Sequence, residues 1–381
     1  MGNSRFNHVK ISGFITVVPD NPIMIDDEIG FYDNDPKKLE RNKKILGLDT
    51  RYVLKDGITC LDLCEEAAKQ LILKLGIEKN TIDGVIVTSN CHEYCSPADA
   101  CIIHGRLGLD KNCNCFDISG LSCSSYVYSL MTASALIETG VMKRCLLLTG
   151  DMNSIHSDVR NRNSNMLYSD AGSATLIEYS EKEVESYYDT GTDGNGWDKI
   201  IVPASGAKLP VQKDIADIEI VDNDGNVWHL WDEILKGLDI FQFTMNAAPE
   251  SVKNLLEDSG KTVDDIDFFP MHQANGQIVK TVAMHAGIPK DKFSNETFTK
   301  YANCGAPSVL SNMCDALESK NVKSVMLVSF GVGLSWGCCI LDIEGAYNGG
   351  VVKYQLPDNI PTRAERVDKW IKYYKGEIDN A

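Results

Sequence analysis

Two stretches of this chain repeat each other. Cys123–Gly150, CSSYVYSLMTASALIETGVMKRCLLLTG, lies over Cys304–Gly331, CGAPSVLSNMCDALESKNVKSVMLVSFG, without a gap, and in each the opening cysteine and closing glycine stand 27 residues apart. Ala135 meets Ala316, Leu136 meets Leu317, Val141 meets Val322 and Leu146 meets Leu327, all at an offset of 181. Upstream, residues 81–87 pair with residues 265–271 at an offset of 184. A duplication of this size narrows the fold sharply, because each half must bury equivalent faces in equivalent elements.

The content of the repeat is strand, helix, long helix, strand. The apolar runs at 84–88, 145–149 and 325–330 are short and uninterrupted, as expected of strands covered on both faces in a mostly parallel sheet. Residues 124–139 hold no Pro or Gly and are apolar almost all round, so they predict a buried helix that ends at Gly140. The chain therefore reads as α/β with a first half at 1–185, a second at 186–345 and a tail at 346–381. Gly- and Asp-rich turns between 180 and 230 mark the connection between halves. In the tail, residues 363–375 predict a short helix whose Val367, Trp370, Ile371 and Tyr374 share one face, expected to pack on the body.

Charge and cysteine usage remove several function classes. The 37 basic and 54 acidic side chains leave a net charge of −17, which argues against a nucleic-acid partner. No apolar run is long enough to span a bilayer and the N-terminal residues lack a secretory pattern, so no membrane role and a cytoplasmic location are expected. Thirteen cysteines are scattered without small-domain spacing, which suits a reducing compartment. Cys91, His92, Cys95, Cys101, Cys113 and Cys115 lie close in sequence, but no Cys-x-x-Cys pair occurs and no metal is expected.

Cys123 falls between a strand-like stretch at 115–118 and the buried helix. A thiol at a helix N-terminus faces free amides and the positive end of the macrodipole, which favour a thiolate and an oxyanion. The alternative is a small buried residue at a tight strand-to-helix turn. His272 sits at a strand end equivalent to Thr88, and Asn303, set against Ser122 by the repeat, lies near the start of its own helix. Each has an ordinary core reading, but together with Cys123 they fall on one end of the sheets, where α/β folds place their sites.

With these residues in view, the chain resembles the β-ketoacyl-[acyl-carrier-protein] synthase III family of the thiolase-like superfamily over roughly residues 8–344. The most specific matches are Cys123-Ser124-Ser125-Tyr126-Val127-Tyr128-Ser129-Leu130, His272-Gln273-Ala274-Asn275, Asn303, Ser329-Phe330-Gly331-Val332-Gly333-Leu334-Ser335-Trp336-Gly337 and Tyr168-Ser169-Asp170-Ala171-Gly172-Ser173-Ala174. The resemblance implies a thiolase-like fold of two duplicated βαβαβαβ halves in a five-layered α-β-α-β-α arrangement, a homodimer, and a Cys123–His272–Asn303 triad without a cofactor. It implies that Cys123 takes an acyl group from acyl-CoA and that His272 and Asn303 stabilise the enolate formed when a malonyl thioester, on acyl carrier protein or CoA, loses carbon dioxide. Amides of Cys123, Gly331, Val332 and Gly333 would form the oxyanion hole.

The chain also departs from the family pattern. Six steps rather than five separate Asp117 from Cys123, Val332 replaces a glycine, Gln277 replaces an arginine that helps dock carrier protein, and Arg41 and Ile45 stand where a tryptophan and arginine grip the CoA adenine. Tyr94 falls where the family sends an aromatic side chain into the neighbour's acyl pocket, and Phe241 and Phe243 are further pocket candidates. Glu93 lies where relatives that condense without decarboxylation, such as hydroxymethylglutaryl-CoA synthase, keep a glutamate base. The alternative function is accordingly transfer of the acyl group from Cys123 to another acceptor. A carrier protein is acidic, so the net charge calls for a local basic patch, with Lys280, Lys290 and Lys292 as candidates. The added length near 180–230 and in the tail suggests a specialised pathway, in lipid, polyketide or glycan modification, rather than primary fatty acid biosynthesis.

Overall fold

The apolar runs of the repeat form the central strands of two sheets. The computed structural model describes residues 2–162, 164–318 and 320–379. In the first sheet the strands run Tyr347–Lys353, Val9–Val18, Asp170–Tyr179, Arg144–Met152, Gly84–Thr88 and Asn114–Ile118 from edge to edge. The second runs Gly2–Phe6, Ser186–Thr192, Ser335–Asp342 and Ser324–Gly331, with Phe268 and Met271 bridging in parallel to Val325 and Val328. Both sheets are more antiparallel than expected, because Asp170–Tyr179 and Ser335–Asp342 each return beside the preceding repeat strand. The termini also exchange places: Gly2–Phe6 pairs in the second sheet, and Tyr347–Lys353 lies parallel to Val9–Val18 in the first.

Three layers of helix enclose these sheets, giving the thiolase-like α-β-α-β-α order. Between the sheets lie the repeat helices Ser125–Glu138 and Ser308–Ala316, whose Tyr126, Leu130, Val309 and Met313 join one apolar cluster with strands of both sheets. Burying such side chains contributes about 1.5–3 kcal/mol each. Helices Cys60–Leu75 and Asp99–Leu107 cover the outer face of the first sheet, and Gly237–Ser259 and Gly276–His285 cover that of the second. Among the described residues no helix is long and apolar enough to cross a membrane.

Side-chain alternation corrects the register of the repeat. Cys145 and Leu147 face the central helices while Leu146 and Leu148 face outward; in the second sheet Val325 and Leu327 face inward and Met326 and Val328 outward. Gly84 pairs with Cys145 as Phe268 bridges to Val325, so the strands correspond at an offset of 180, not 181. A slip of one residue exchanges the two faces of a strand, and the gapless overlay, guided by matching side chains, made that slip.

The tail divides into two unlike parts. Its first strand is sheet rather than appendage. Its helix, Arg363–Tyr374, opens on a Thr362–Glu365 capping box, yet none of its residues is buried. Trp370 meets Tyr94 edge-on at 5.5 Å and Arg366 reaches Asp56 at 3.2 Å, whereas Val367, Ile371 and Tyr374 stay exposed. Of the apolar face expected to pack on the body, Trp370 reaches it at Tyr94, while Val367, Ile371 and Tyr374 remain open to solvent.

Candidate active site

Two strained turns face each other across the halves. Ser122, just before Cys123, has φ of +44°, and Ala302, just before Asn303, has φ of +54°. Residues other than glycine hold such conformations at a cost of about 1–3 kcal/mol each, and they persist where surrounding structure over-determines them. The two turns are again 180 apart, so Asn303 occupies the place of Cys123 itself rather than of Ser122. Cys123 lies in a single 3-10 turn, Ser122–Ser124, that leads into the helix from Ser125.

The end of each repeat strand presses on the opposite turn. Asp151 accepts the Asn90 N–H at 3.0 Å and, across the halves, the Ala306 N–H at 2.7 Å, which holds the Asn303 turn. Its counterpart Gly331 lies so close to the Cys123 turn that a Cβ there would stand 2.6 Å from the Leu121 carbonyl oxygen and 3.1 Å from the Cys123 nitrogen. Tyr168-Ser169-Asp170 supplies a second clamp. The Asn303 N–H donates to the Leu167 carbonyl and the Ser169 N–H to the Asn303 carbonyl, both at 2.9 Å, while Asp170 receives the Leu54 N–H at 2.8 Å. The Asn303 Oδ1 accepts the Gly305 N–H at 2.9 Å, which fixes the carboxamide plane.

These elements enclose a cavity of about 680 Å³ that brings together Cys123, His272 and Asn303. His272 continues the parallel strand beside Ser324–Gly331, its N–H donating to the Val328 carbonyl at 2.9 Å, and its ring meets Phe330 edge-on at 5.1 Å. Its Nδ1 is buried with no hydrogen-bond partner, and burial holds the imidazole pKa down to about 3, so the ring is neutral across the physiological range. Cys123 differs from the depressed thiol that its place in sequence suggests. Burial pushes its pKa up, the Ser122 hydroxyl opposes this, and the Asp151 and Glu233 carboxylates add to it. The free thiol is therefore protonated at rest, which leaves proton removal to the moment of reaction.

The remaining expected residues divide by position. Phe241, Phe243, Gly331 and Val332 line the cavity, but Gly333 does not. Tyr94 stands outside the wall, 44% exposed against Trp370. Glu93 also lies outside, gripped by Arg106 at 2.8 Å and by the Thr59 hydroxyl at 2.8 Å, so it is a structural ion pair and not a base in this cavity. Lys292 spends its ammonium on the carbonyls of Val263, Asp264 and Ile266, leaving Lys280 and Lys290 exposed. Of the suspected metal ligands only His92 joins a cluster, with Asp99 and Asp117 rather than cysteines. That cluster is engaged in structure: His92 Nδ1 meets Asp99 at 2.9 Å, and Asp117 accepts the Asp99 and Ala100 N–H groups that open a helix. Sequence reasoning missed Asn153, Asp151 and Glu233, which come from segments without a recognisable motif; only Asp151, just past the repeat, left a trace.

Known proteins resemble this chain over most of its length. Residues 116–194 match the model of 3-oxoacyl-[acyl-carrier-protein] synthase III, and residues 256–343 match that of its C-terminal region. A protein of Campylobacter jejuni named as a 3-oxoacyl-[acyl-carrier-protein] synthase 3 is 34% identical over 352 residues, covering 92% of this chain and 98% of its own. A β-ketoacyl-[acyl-carrier-protein] synthase III of Campylobacter curvus is 32% identical over 79% of this chain and 88% of its own. The crystal structure of a 3-oxoacyl-(acyl-carrier protein) synthase from Burkholderia xenovorans LB400 superposes with a TM-score of 0.83 at 28% identity, covering 92% of this chain and 99% of that one. Fold and similarity together define an acyl-transferring condensing enzyme on a thiolase-like scaffold. Within that class, the chain belongs to the β-ketoacyl-[acyl-carrier-protein] synthase III family.

Proposed function

We propose that this protein condenses an acyl group held on Cys123 with a malonyl thioester and releases carbon dioxide. The observation that carries the reading is the convergence of Cys123, from the first half, and of His272 and Asn303, from the second, on one cavity. The Cys123 sulfur attacks the carbonyl of an acyl-CoA, the tetrahedral oxyanion forms beside the Cys123 amide and the Gly331–Val332 loop, and CoA departs as its thiol with the proton Cys123 gave up. A malonyl thioester then loses carbon dioxide to give an enolate, which the His272 imidazole and the Asn303 carboxamide stabilise as neutral donors. The enolate carbon attacks acyl-Cys123, the carbon–sulfur bond breaks, and the returning thiolate takes up a proton. A carboxylate in place of either donor would repel the developing charge.

In this reading residues 1–185 contribute the nucleophile and 186–345 the two donors. The working unit is a homodimer with acyl carrier protein as the extender's carrier, supported by the free edge of Asn114–Ile118 and by exposed Tyr94. The thirteen cysteines, none of them in a disulfide, suit a cytoplasmic setting. Mass spectrometry of the protein after incubation with acyl-CoAs, followed by carboxyl-labelled malonyl thioester, tests the chemistry. An acyl adduct on Cys123 and release of labelled carbon dioxide are expected, both abolished in Cys123→Ala. Acyl transfer without carbon dioxide release would overturn the condensation.

A further inference from the structure

One buried carboxylate touches both halves of the site and takes no part in the proposed chemistry. Asp151 is fully buried, and both of its side-chain partners are backbone N–H groups, Asn90 on Oδ1 and Ala306 on Oδ2. The Ala306 bond, at 2.7 Å, crosses from the first half to the turn that carries Asn303. The approach is so close that a Cβ on Gly305 would lie 2.5 Å from Oδ2. The Asn90 bond, at 3.0 Å, leads the other way. Asn90 uses its own side-chain Oδ1 to accept the Gly120 N–H at 2.7 Å, just upstream of Cys123. Gly120 has φ of +89°, a conformation other residues rarely adopt, and Ser122 follows at +44°. Asp151 therefore reaches the Asn303 turn directly and the Cys123 turn through Asn90.

We infer that Asp151 is a positioning residue for both steps of the reaction, a brace that sets the Asn303 turn and the Cys123 turn at a fixed separation. This role rests on the acylation and condensation proposed above. It accounts for a carboxylate at this position, since a carboxylate is a side chain that costs free energy to bury. At this size only a carboxylate offers an acceptor on each of two atoms. An amide would turn its NH2 on one of the two N–H groups and leave that donor unpaired. Burial pushes the carboxyl up to about 6 and the two N–H groups oppose this, so at neutral pH it is ionised and accepts on both oxygens. Acylation needs the Cys123 sulfur at the acyl carbonyl, and condensation also needs Asn303 at the enolate oxygen. A shift of either turn is therefore felt in rate and not in folding alone.

Two rates test the brace: Cys123 acylation by an acyl-CoA, and release of labelled carbon dioxide from malonyl-CoA by the pre-acylated enzyme. Asp151→Ala, which removes both acceptors, is expected to slow each step by about ten-fold or more, with KM for malonyl-CoA within about two-fold of wild type. Asn90→Ala cuts only the branch to Gly120 and is expected to slow acylation several-fold. In the double variant the Asn90 change should slow acylation no further, because that branch has already lost its anchor. Circular dichroism shows which variants fold. Asp151→Asn, which keeps the volume and one acceptor and is expected to slow at least one step, carries the comparison if Asp151→Ala does not fold. Folded Asp151 variants with both rates within about two-fold of wild type, or Asn90 and Asp151 effects on acylation that multiply, overturn the brace and leave the chemistry standing. Absence of any adduct on Cys123 in wild type overturns the acylation reading and the brace with it.

Discussion

Gly331→Ala isolates the contact between the second repeat strand and the Cys123 turn. The added methyl would lie 2.6 Å from the Leu121 carbonyl oxygen, 2.8 Å from the Ser124 nitrogen and 3.1 Å from the Cys123 nitrogen, against 3.4 Å for an ordinary contact. All three neighbours are backbone, so no side chain can swing away, and the turn must retreat by about 0.8 Å, the difference between 3.4 and 2.6. Misplacing a reacting group by about 1 Å costs on the order of 100-fold in rate, so a loss of some tens-fold is expected, about 2 kcal/mol of barrier. Overpacking of this kind destabilises by about 1–3 kcal/mol, within the stability of an ordinary domain, and the variant should fold. Single-turnover acylation of Cys123 followed by mass spectrometry measures the first effect and thermal melting the second. Acylation at the wild-type rate in a folded Gly331→Ala protein would show that the strand does not set the position of the nucleophile.

His272→Ala and Asn303→Ala are expected to lower condensation by about 100-fold or more while Cys123 acylation stays within several-fold, because both donors serve the enolate; parallel loss of both steps would contradict that division. Burial raises the Asp151 pKa from 3.8 to about 6, so between those values the folded state binds more protons than the unfolded one. Its contribution therefore falls as pH rises through that window and levels off above it, by roughly 3 kcal/mol. Urea titrations from pH 4 to 7 should show a steeper fall in wild type than in Asp151→Asn, by this amount; equal slopes would refute it. Truncation after Ile360 removes no buried side chain of the terminal helix and one exposed ion pair to the body, Arg366–Asp56, and should change stability by no more than about 1 kcal/mol by denaturant titration.

The candidate site was legible where chemistry depends on residue type next to a strong local pattern. Cys123 precedes an unbroken apolar helix, and His272 ends a short apolar strand, so period and position placed both. Asn303 was found too, but opposite the wrong partner, because Ala135 and Ala316 match as letters at 181 while the backbone matches at 180. Glu93 and Tyr94 were placed by the family resemblance, yet Arg106 and Trp370, distant in sequence, decide where those side chains go. The pKa of Cys123 turned on the same kind of information. The helix start visible in the sequence favours a thiolate, while desolvation by both halves, visible only in three dimensions, outweighs it.

By itself the sequence determined the duplication, the α/β class, the buried central helix and the three residue types that meet at the cavity. These follow from local periodicity and from matches between two halves of one chain, both of which are properties of order along the backbone. Only the tertiary structure decided the register of the repeat, the exchange of terminal strands between sheets, the exposed face of the last helix and the meeting of Asn153, Tyr168 and Glu233 at the cavity. Those depend on which distant segments desolvate or hydrogen-bond one another. Asn153 is an unremarkable residue after a strand until Gly305 packs against it and leaves its amide nitrogen buried without a partner.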